Sequence, residues 1–427
     1  MTDPNLLRSN VSPINPLITD VNNSAWLPQA PQALNDFFRD TRQLASTVPT
    51  GFNTTITFDL TKQGTSLLGW TWKSTFAPVA VTSGTFARYQ DFIGIMLFRQ
   101  IRVNYVGNEL YKYGREYMFL RIRKWLTQER RICINDAIYG ERTPAQMSAL
   151  TQAGFITYTP SFVPFSHSTD QASPITTLAQ KLRIEADIDS VENLIQTDGV
   201  VSAYSTSTVT TVMLADYVQT PDNDTISLIN KSKEQNGIVY LVNNKSAVQN
   251  YIVSAAAGTI SSEVRMLQRG VVKAFYFWLI PNRLVNTPGS NNYTMIQNNP
   301  VPVPALMNPY DPIDHFEADS NGVYAVRPQA AEERYNKAIY HPYYHSSACG
   351  DNIYFWSWTL NPETENAAFG NLAFPNLDTP TLRIYWGASG TGIDPITAGV
   401  QELRLTVIEL IYSFIQYQGG DVTEVFV

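Results

Sequence analysis

Cysteine is almost missing from this chain, with only Cys133 and Cys349 among 427 residues. So wide a separation holds neither a metal-ligand spacing nor a disulfide framework. It suits a reducing compartment, and both residues are expected as small buried hydrophobes. Histidine is nearly as scarce, at four, and charged residues make up only 16% of the chain. The formal net charge is -7, so no general attraction to phosphate backbones or anionic lipid is expected. Nowhere does an apolar run reach the roughly 18 residues that a membrane-spanning helix needs. The opening "MTDPNLLRSNVSPINPLI" has neither the basic start nor the continuous apolar stretch of a secretory signal, so secretion by that route is not expected.

Aromatic residues are abundant instead: 23 Tyr, 20 Phe and 8 Trp, a composition that favours strands over helices. A chain of this length fits two domains of about 200 residues, each able to bury a full core. Residues 1 to about 50 read as an N-terminal arm rich in Asn and Pro. It holds one helical candidate, "PQALNDFFRDTRQLA", in which Leu34, Phe37 and Phe38 share a face. The arm either docks on a partner or folds back on its own domain.

From Phe52 the period changes to two. Ile56, Phe58 and Leu60 alternate with Thr55, Thr57 and Asp59, as a half-buried strand requires. The cleanest case is "LRIEADID", where Leu182, Ile184, Ala186 and Ile188 face a core while Arg183, Glu185, Asp187 and Asp189 face water. A helix is signalled after Thr143, with Pro144 at its first position, Gln146 completing a capping box and Gly154 past its end. A second helix candidate begins at Pro328. The two lie at matching places in the two halves and suggest a shared plan.

The polar, turn-rich stretch 220–237 separates the halves. Beyond it "VKAFYFWLIPNR", "NIYFWSWTL", "TLRIYW" and "LRLTVIELIYSFIQY" read as strands, the last apolar on both faces beyond Val407 and therefore central. Turn chemistry just before "TLRIYW" sets a corner, after which Leu382, Ile384 and Trp386 share one face. The expectation is an all-β chain of two antiparallel halves, each a sandwich or jelly roll, with short helical insertions: 1–50 as arm, 51–230 as the first half, and 231–427 as the second with a C-terminal tail.

Sites for chemistry are hard to find. "HPYYH" places His341 and His345 at a metal-compatible spacing, but Pro342 argues for an extended or loop segment and against a ligand pair. Asp311, Asp314 and His315 read as a solvated turn without a nucleophile. The pairs Glu332 with Glu333 and Asp187 with Asp189 read as a helix start and a wet strand face, not as a glycosidase pair. "FLRIRKWLTQERR" is the densest basic stretch. Read as a strand, it puts Arg121 and Arg123 on one face, suited to a neighbouring subunit's carboxylates or to solvent in preference to nucleic acid. No catalytic residue, metal site or cofactor is assigned.

The segment "ACGDNIYFWSWTLNPETENAAFGNLAFPNLDTPTLRIYW" resembles the second jelly roll of the double jelly-roll major capsid proteins of large eukaryotic DNA viruses, virophages and polinton-like viruses. Leu360, Asn361, Pro362 and Glu363 match the family's Leu/Asn-Pro-Glu phrase, Gly370 its glycine, and Phe374, Leu377, Asp378 and Leu382 its turn and following strand. The chain departs from that pattern at Ala373, Pro375, Asn376 and Thr379. Ala215, Asp216 and Tyr217 resemble the strand closing the first jelly roll, and "VIELIYSFIQYQGGDVTEVFV" is similar to the family's last strand and tail.

The resemblance implies two tandem eight-stranded jelly rolls, 51–230 and 231–427, and a structural protein without catalysis: a homotrimer forming a pseudo-hexagonal capsomer of an icosahedral double-stranded DNA virus shell. Its partners would be further copies of itself, with penton and minor or cement proteins, and no sequence-specific nucleic-acid contact. An internal membrane is left open. The location implied is the virion capsid, assembled inside the host cell. Two other readings remain, a carbohydrate-binding or glycoside-cleaving double sandwich and a minor capsid or spike component. The tail from Gly419 ends in apolar "VTEVFV" and is expected to face the interior or a neighbour, adding a strand to a partner.

Overall fold

The structure is a computed structural model. It describes residues 38–60, 64, 66–81, 84–162, 178–197, 208–219, 239–254, 261–266, 270–281, 313–320, 323–326, 336, 340–345, 353–359, 372–373, 380–386, 402–418 and 421–426. Two antiparallel sheets make the first jelly roll. One has β1 (Phe38–Leu44), β10 (Val209–Gln219), β3 (Ser66–Phe76) and β7 (Phe155–Pro160), in that order across the sheet. The other has β2 (Thr55–Leu60), β8 (Leu182–Ile188), β5 (Phe98–Tyr105) and β6 (Asn108–Gly114). A short ribbon of β4 (Ala87–Tyr89) and β9 (Ile195–Thr197) lies beside them.

The second jelly roll repeats this order strand for strand. One sheet has β11 (Val239–Ser254), β19 (Glu402–Gln418), β13 (Val271–Pro281) and β16 (Tyr354–Ser357). The other has β12 (Ser261–Arg265), β18 (Thr381–Trp386), β14 (Ile313–Ser320) and β15 (Val323–Val326). Two short strands are added: β17 (Leu372–Ala373) on β13 and β20 (Asp421–Phe426) on β19. In each half the first strand pairs with the last, which closes a jelly roll and brings residues about 170 positions apart into register. The shared plan is a property of the topology itself.

Strand patterns account for both cores. On β8 Leu182, Ile184, Ala186 and Ile188 are all buried, as the alternation requires. They meet Trp70, Trp72, Phe58 and Phe98, whose rings pack at 5.3 Å for Phe58 on Trp72 and 5.3 Å for Trp72 on Phe98. In the second half Leu382 and Ile384 of β18 pack with Phe275, Phe277 and Phe316. β19 is central: from Leu403 to Tyr417 it is flanked by β11 on one side and by β13, then β20, on the other. Among the helices, α1 (Ile93–Met96), α2 (Arg115–Leu120), α3 (Gln128–Ile138), α4 (Pro144–Ala153), α5 (Val191–Leu194) and α6 (His341–Tyr344), the sequence signal is plainest at α4. Thr143 Oγ1 accepts from the Gln146 N–H at 3.3 Å, and Gln146 Oε1 accepts from the Thr143 N–H at 3.0 Å. Gly154 then ends the helix with φ of 75°.

Several expectations are corrected. Phe38–Leu44 is not the end of a helix but strand β1, because β10 offers its edge. Arg121–Trp125 is a π-helical turn continuing α2, not a strand, so Arg121 and Arg123 do not share a strand face. His341–Tyr344 is a single helical turn despite Pro342. Asp314 and His315 lie on β14, not in a turn. Cys133 is exposed on α3 and is no buried hydrophobe. The C-terminal residues Asp421–Phe426 form a strand, β20, that pairs with the chain's own β19. The Pro328 helix candidate falls outside the described residues except Asn336, as do Cys349, His167, Asp311, Glu332 and Glu333.

Asp189 is the most informative correction. The strand ends at Ile188, and the Asp189 side chain is fully buried instead of facing water. It accepts from Arg99 Nε at 2.7 Å, Arg115 Nη1 at 2.7 Å, Asn193 Nδ2 at 2.9 Å and the Ser190 N–H at 2.7 Å. Burial pushes its pKa up, but Arg115 and these donors outweigh burial and hold it below the usual carboxylate value. The cluster ties the end of β8 to the starts of β5 and α2. Asp189→Ala is expected to lower stability by about 3 kcal/mol, seen as a fall in the urea unfolding midpoint with unchanged slope; an unmoved midpoint would contradict this role.

Candidate functional site

One sandwich sheet ordinarily buries one face and wets the other. Here β13 and β19 bury both. Phe275, Phe277, Leu279, Leu403, Leu405 and Val407 point into the second jelly roll's own core. Ala274, Tyr276, Trp278, Ile280, Ile408 and Leu410 point outward and join the core of the first jelly roll. A continuous apolar seam therefore fastens the two jelly rolls along the outer face of the β11-β19-β13-β16 sheet. The first jelly roll covers it with β6, which lies against β11 and β20, and with the π-helical turn that follows α2.

Trp125, at the end of that turn, closes the seam. Its Nε1 donates to the Tyr276 hydroxyl at 3.1 Å. The Arg121 guanidinium sits 4.4 Å from the Trp125 ring, and the Lys273 ammonium lies 5.6 Å from the same ring and 5.7 Å from that of Tyr412. On the other side α6 brings Tyr340, Tyr344 and His345 onto Phe355 and Tyr276, with His345 to Phe355 at 4.4 Å. This is aromatic packing with cations lying over rings, an arrangement suited to holding two bodies rigidly.

Lys273 is buried in this seam, and Lys124 is buried in the π-helical turn. Desolvation by burial, with Arg121 beside it, pulls the Lys273 pKa from 10.5 down to about 7.

Two of the three remaining core sheets have charged outer faces. On the β2-β8-β5-β6 sheet Arg183 pairs with Asp59 at 3.0 Å and Arg102 with Asp187 at 2.9 Å. On the β12-β18-β14-β15 sheet Arg383 bridges Glu317 at 2.6 Å and Glu263 at 3.0 Å, and His315 stacks on Tyr385 at 4.2 Å. Among the described residues no group of three or more His, Cys, Asp or Glu is placed to hold a metal ion.

Of the family-motif residues, the described ones lie on strands of both jelly rolls, Ala215, Asp216 and Tyr217 on β10 and Leu382 on β18. Asp216 anchors β1, accepting from Arg39 Nη2 at 2.6 Å and Thr41 Oγ1 at 2.5 Å, where the β10 register slips between Asp216 and Tyr217. Ala215 and Tyr217 are buried, and burial pushes the Tyr217 hydroxyl up to about 12. Gly64 lies so close that a Cβ there would come within 2.6 Å of the Tyr217 Cβ. Leu382 is buried in the second core. Pro362, Glu363, Gly370, Phe374, Leu377 and Asp378 lie outside the described residues. The seam residues Trp125, Lys273 and Tyr276 went unnamed at the sequence level, although "VKAFYFWLIP" carries the signal of the last two: it is apolar on both faces, more than one core requires.

No protein-family model matches the sequence, and no curated protein does. Solved structures do match. The PBCV-1 virus capsid model superposes with a TM-score of 0.74 at 11% identity, over 94% of this chain and 100% of that one. The Faustovirus major capsid protein gives 0.68 at 11% identity, over 93% and 94%. The Sputnik virophage structure determined by cryo-EM gives 0.56 at 10% identity, over 94% and 91%. The likeness establishes the fold, a double jelly roll with both halves matched.

Because Lys273 has a lowered folded-state pKa, the unfolded chain binds more protons between about pH 7 and 10.5, and stability from this group rises with pH across that window. Unfolding free energies of the wild type relative to Lys273→Met are expected to climb from pH 7 to pH 10, by at most about 1.4 kcal/mol per pH unit. A parallel pH dependence in the two proteins would refute a buried, desolvated lysine.

Proposed function

We propose that this chain is the major capsid protein of a double-stranded DNA virus, forming a homotrimeric, pseudo-hexagonal capsomer. One observation carries the reading: both jelly rolls, over more than nine-tenths of the chain, match the PBCV-1 and Faustovirus capsid proteins, with comparable lengths on each side. The seam supports it physically. A rigid block of two sandwiches with matching strand orders presents two similar lobes, and three such blocks in a ring have a nearly sixfold outline. Its role is assembly, with further copies of itself as the principal partner and penton and minor capsid proteins as the others. The lobes divide between β10 and β11, within 220–238, and the location is the virion shell.

Light scattering on the purified chain is expected to give three times 47.9 kDa, about 144 kDa, with pseudo-hexagonal particles in negative stain. A stable monomer would overturn the capsomer reading and favour a carbohydrate-binding module.

A further inference from the structure

We propose that the seam between the two jelly rolls binds a small inorganic anion, held by the Lys273 ammonium, the Arg121 guanidinium and the Tyr412 hydroxyl. The inference concerns the joint within one copy and stands apart from the capsomer reading.

Two cations meet in this seam, one from each jelly roll, and each is delivered by an irregularity of the backbone. Arg121 opens the π-helical turn of the first jelly roll and sits 4.4 Å from the Trp125 ring. Lys273 lies 5.6 Å from the same ring. On β13 Val272 pairs with Ile411 and Ala274 with Leu410, so Lys273 is an extra residue in its strand. Val272 belongs to the second jelly roll's own core and Ala274 to the seam, which shows that the bulge switches faces at Lys273. Bulges and π-turns re-aim side chains and are found beside functional sites more often than elsewhere. Here both aim a positive charge at one indole.

Like charges brought together out of water repel strongly, because a low dielectric penalises a like pair as much as it rewards an opposite one. Lys273 is fully buried, and burial together with Arg121 pulls its pKa down to about 7. An anion between the two cations converts one repulsion into two attractions.

The third ligand is marked by an observation that does not involve charge. Tyr412 lies on the same side of β19 as Ile408 and Leu410, which are part of the seam, and its ring centre is 5.7 Å from Lys273 Nζ. It is only 3% exposed, yet its hydroxyl has no hydrogen-bond partner among the described residues. Leaving a buried hydroxyl so costs free energy that donation to an anion recovers. The neighbouring Tyr276 hydroxyl, by contrast, accepts from Trp125 Nε1 at 3.1 Å. An ammonium, a guanidinium and a hydroxyl are all donors, the set that suits a ligand able only to accept. The aromatic walls around them favour a compact, readily dehydrated ion of the halide kind over a bulky organic anion.

The test compares thermal unfolding of the purified full chain in sodium chloride and in sodium gluconate, whose anion is too large for the seam. Wild type, K273M and Y412F are measured at about pH 6.5, where the lysine carries its proton. A site half-filled at about 20 mM chloride lowers the unfolding constant about elevenfold at about 200 mM. Chloride is therefore expected to raise the wild-type melting temperature by about 2 °C relative to gluconate. K273M is expected to show no such difference, and Y412F, which keeps both cations, a smaller one than the wild type. Crystals soaked in sodium bromide are expected to show an anomalous peak within about 3.5 Å of Lys273 Nζ. No chloride shift in the wild type, an equal shift in K273M, or bromide peaks only outside the seam would overturn the inference. Should K273M fail to fold, a Y412F response equal to the wild type's would overturn it. Each of these results leaves the capsomer reading standing.

Discussion

Strands β13 and β19 bury side chains on both faces, and the shape of the whole molecule is arranged around that demand. Tyr276, Trp278, Ile280 and Leu410 would each forfeit about 2 kcal/mol if their face were wet, so the second jelly roll cannot stand alone in this form. The first jelly roll supplies the cover with β6 and the π-helical turn ending at Trp125. An inserted residue in a helix re-aims the side chains that follow it, and here the turn delivers the Trp125 indole to the Tyr276 hydroxyl. A lysine buried in such a place is strained toward its neutral form, and two aromatic rings lie over it.

The charged outer faces complete the division of labour. Ion pairs such as Arg183 with Asp59 and Arg383 with Glu263 add little stability at the surface, but they keep those sheets wet. The chain's scarce charge is therefore spent on the faces that meet water, and aromatic surface on the faces that meet protein. Strand edges are managed in the same economical way, with β20 folded back along β19 beyond the end of β13.

Much of this was legible in the sequence where the determining contacts are local or periodic. The alternation of "LRIEADID" named its buried residues, the Thr143 and Gln146 spacing named a helix start, and the two-sided apolar run after Val407 named a central strand. What was not legible depends on partners far along the chain. Phe38–Leu44 looks helical by itself and becomes a strand through Asp216, 177 positions from Arg39. Asp189 continues a wet-face pattern and is drawn inside by Arg99 and Arg115. The run from Tyr117 to Trp125 interleaves six apolar residues with Arg121, Arg123 and Lys124, so its period does not separate a strand from a helix buried on several sides. The Ala215, Asp216 and Tyr217 motif was read correctly as part of a strand, but its work of pinning β1 became apparent only from the pairing of β1 with β10.

The central claim is that the apolar outer face of the β11-β19-β13-β16 sheet, covered by the first jelly roll, fastens the two sandwiches into one rigid block. A cryo-EM reconstruction of the purified full-length oligomer tests it most directly. The account predicts that in every copy Trp125 meets Tyr276 and the seam between the two jelly rolls is closed to solvent. A reconstruction in which that seam lies open to solvent would contradict it.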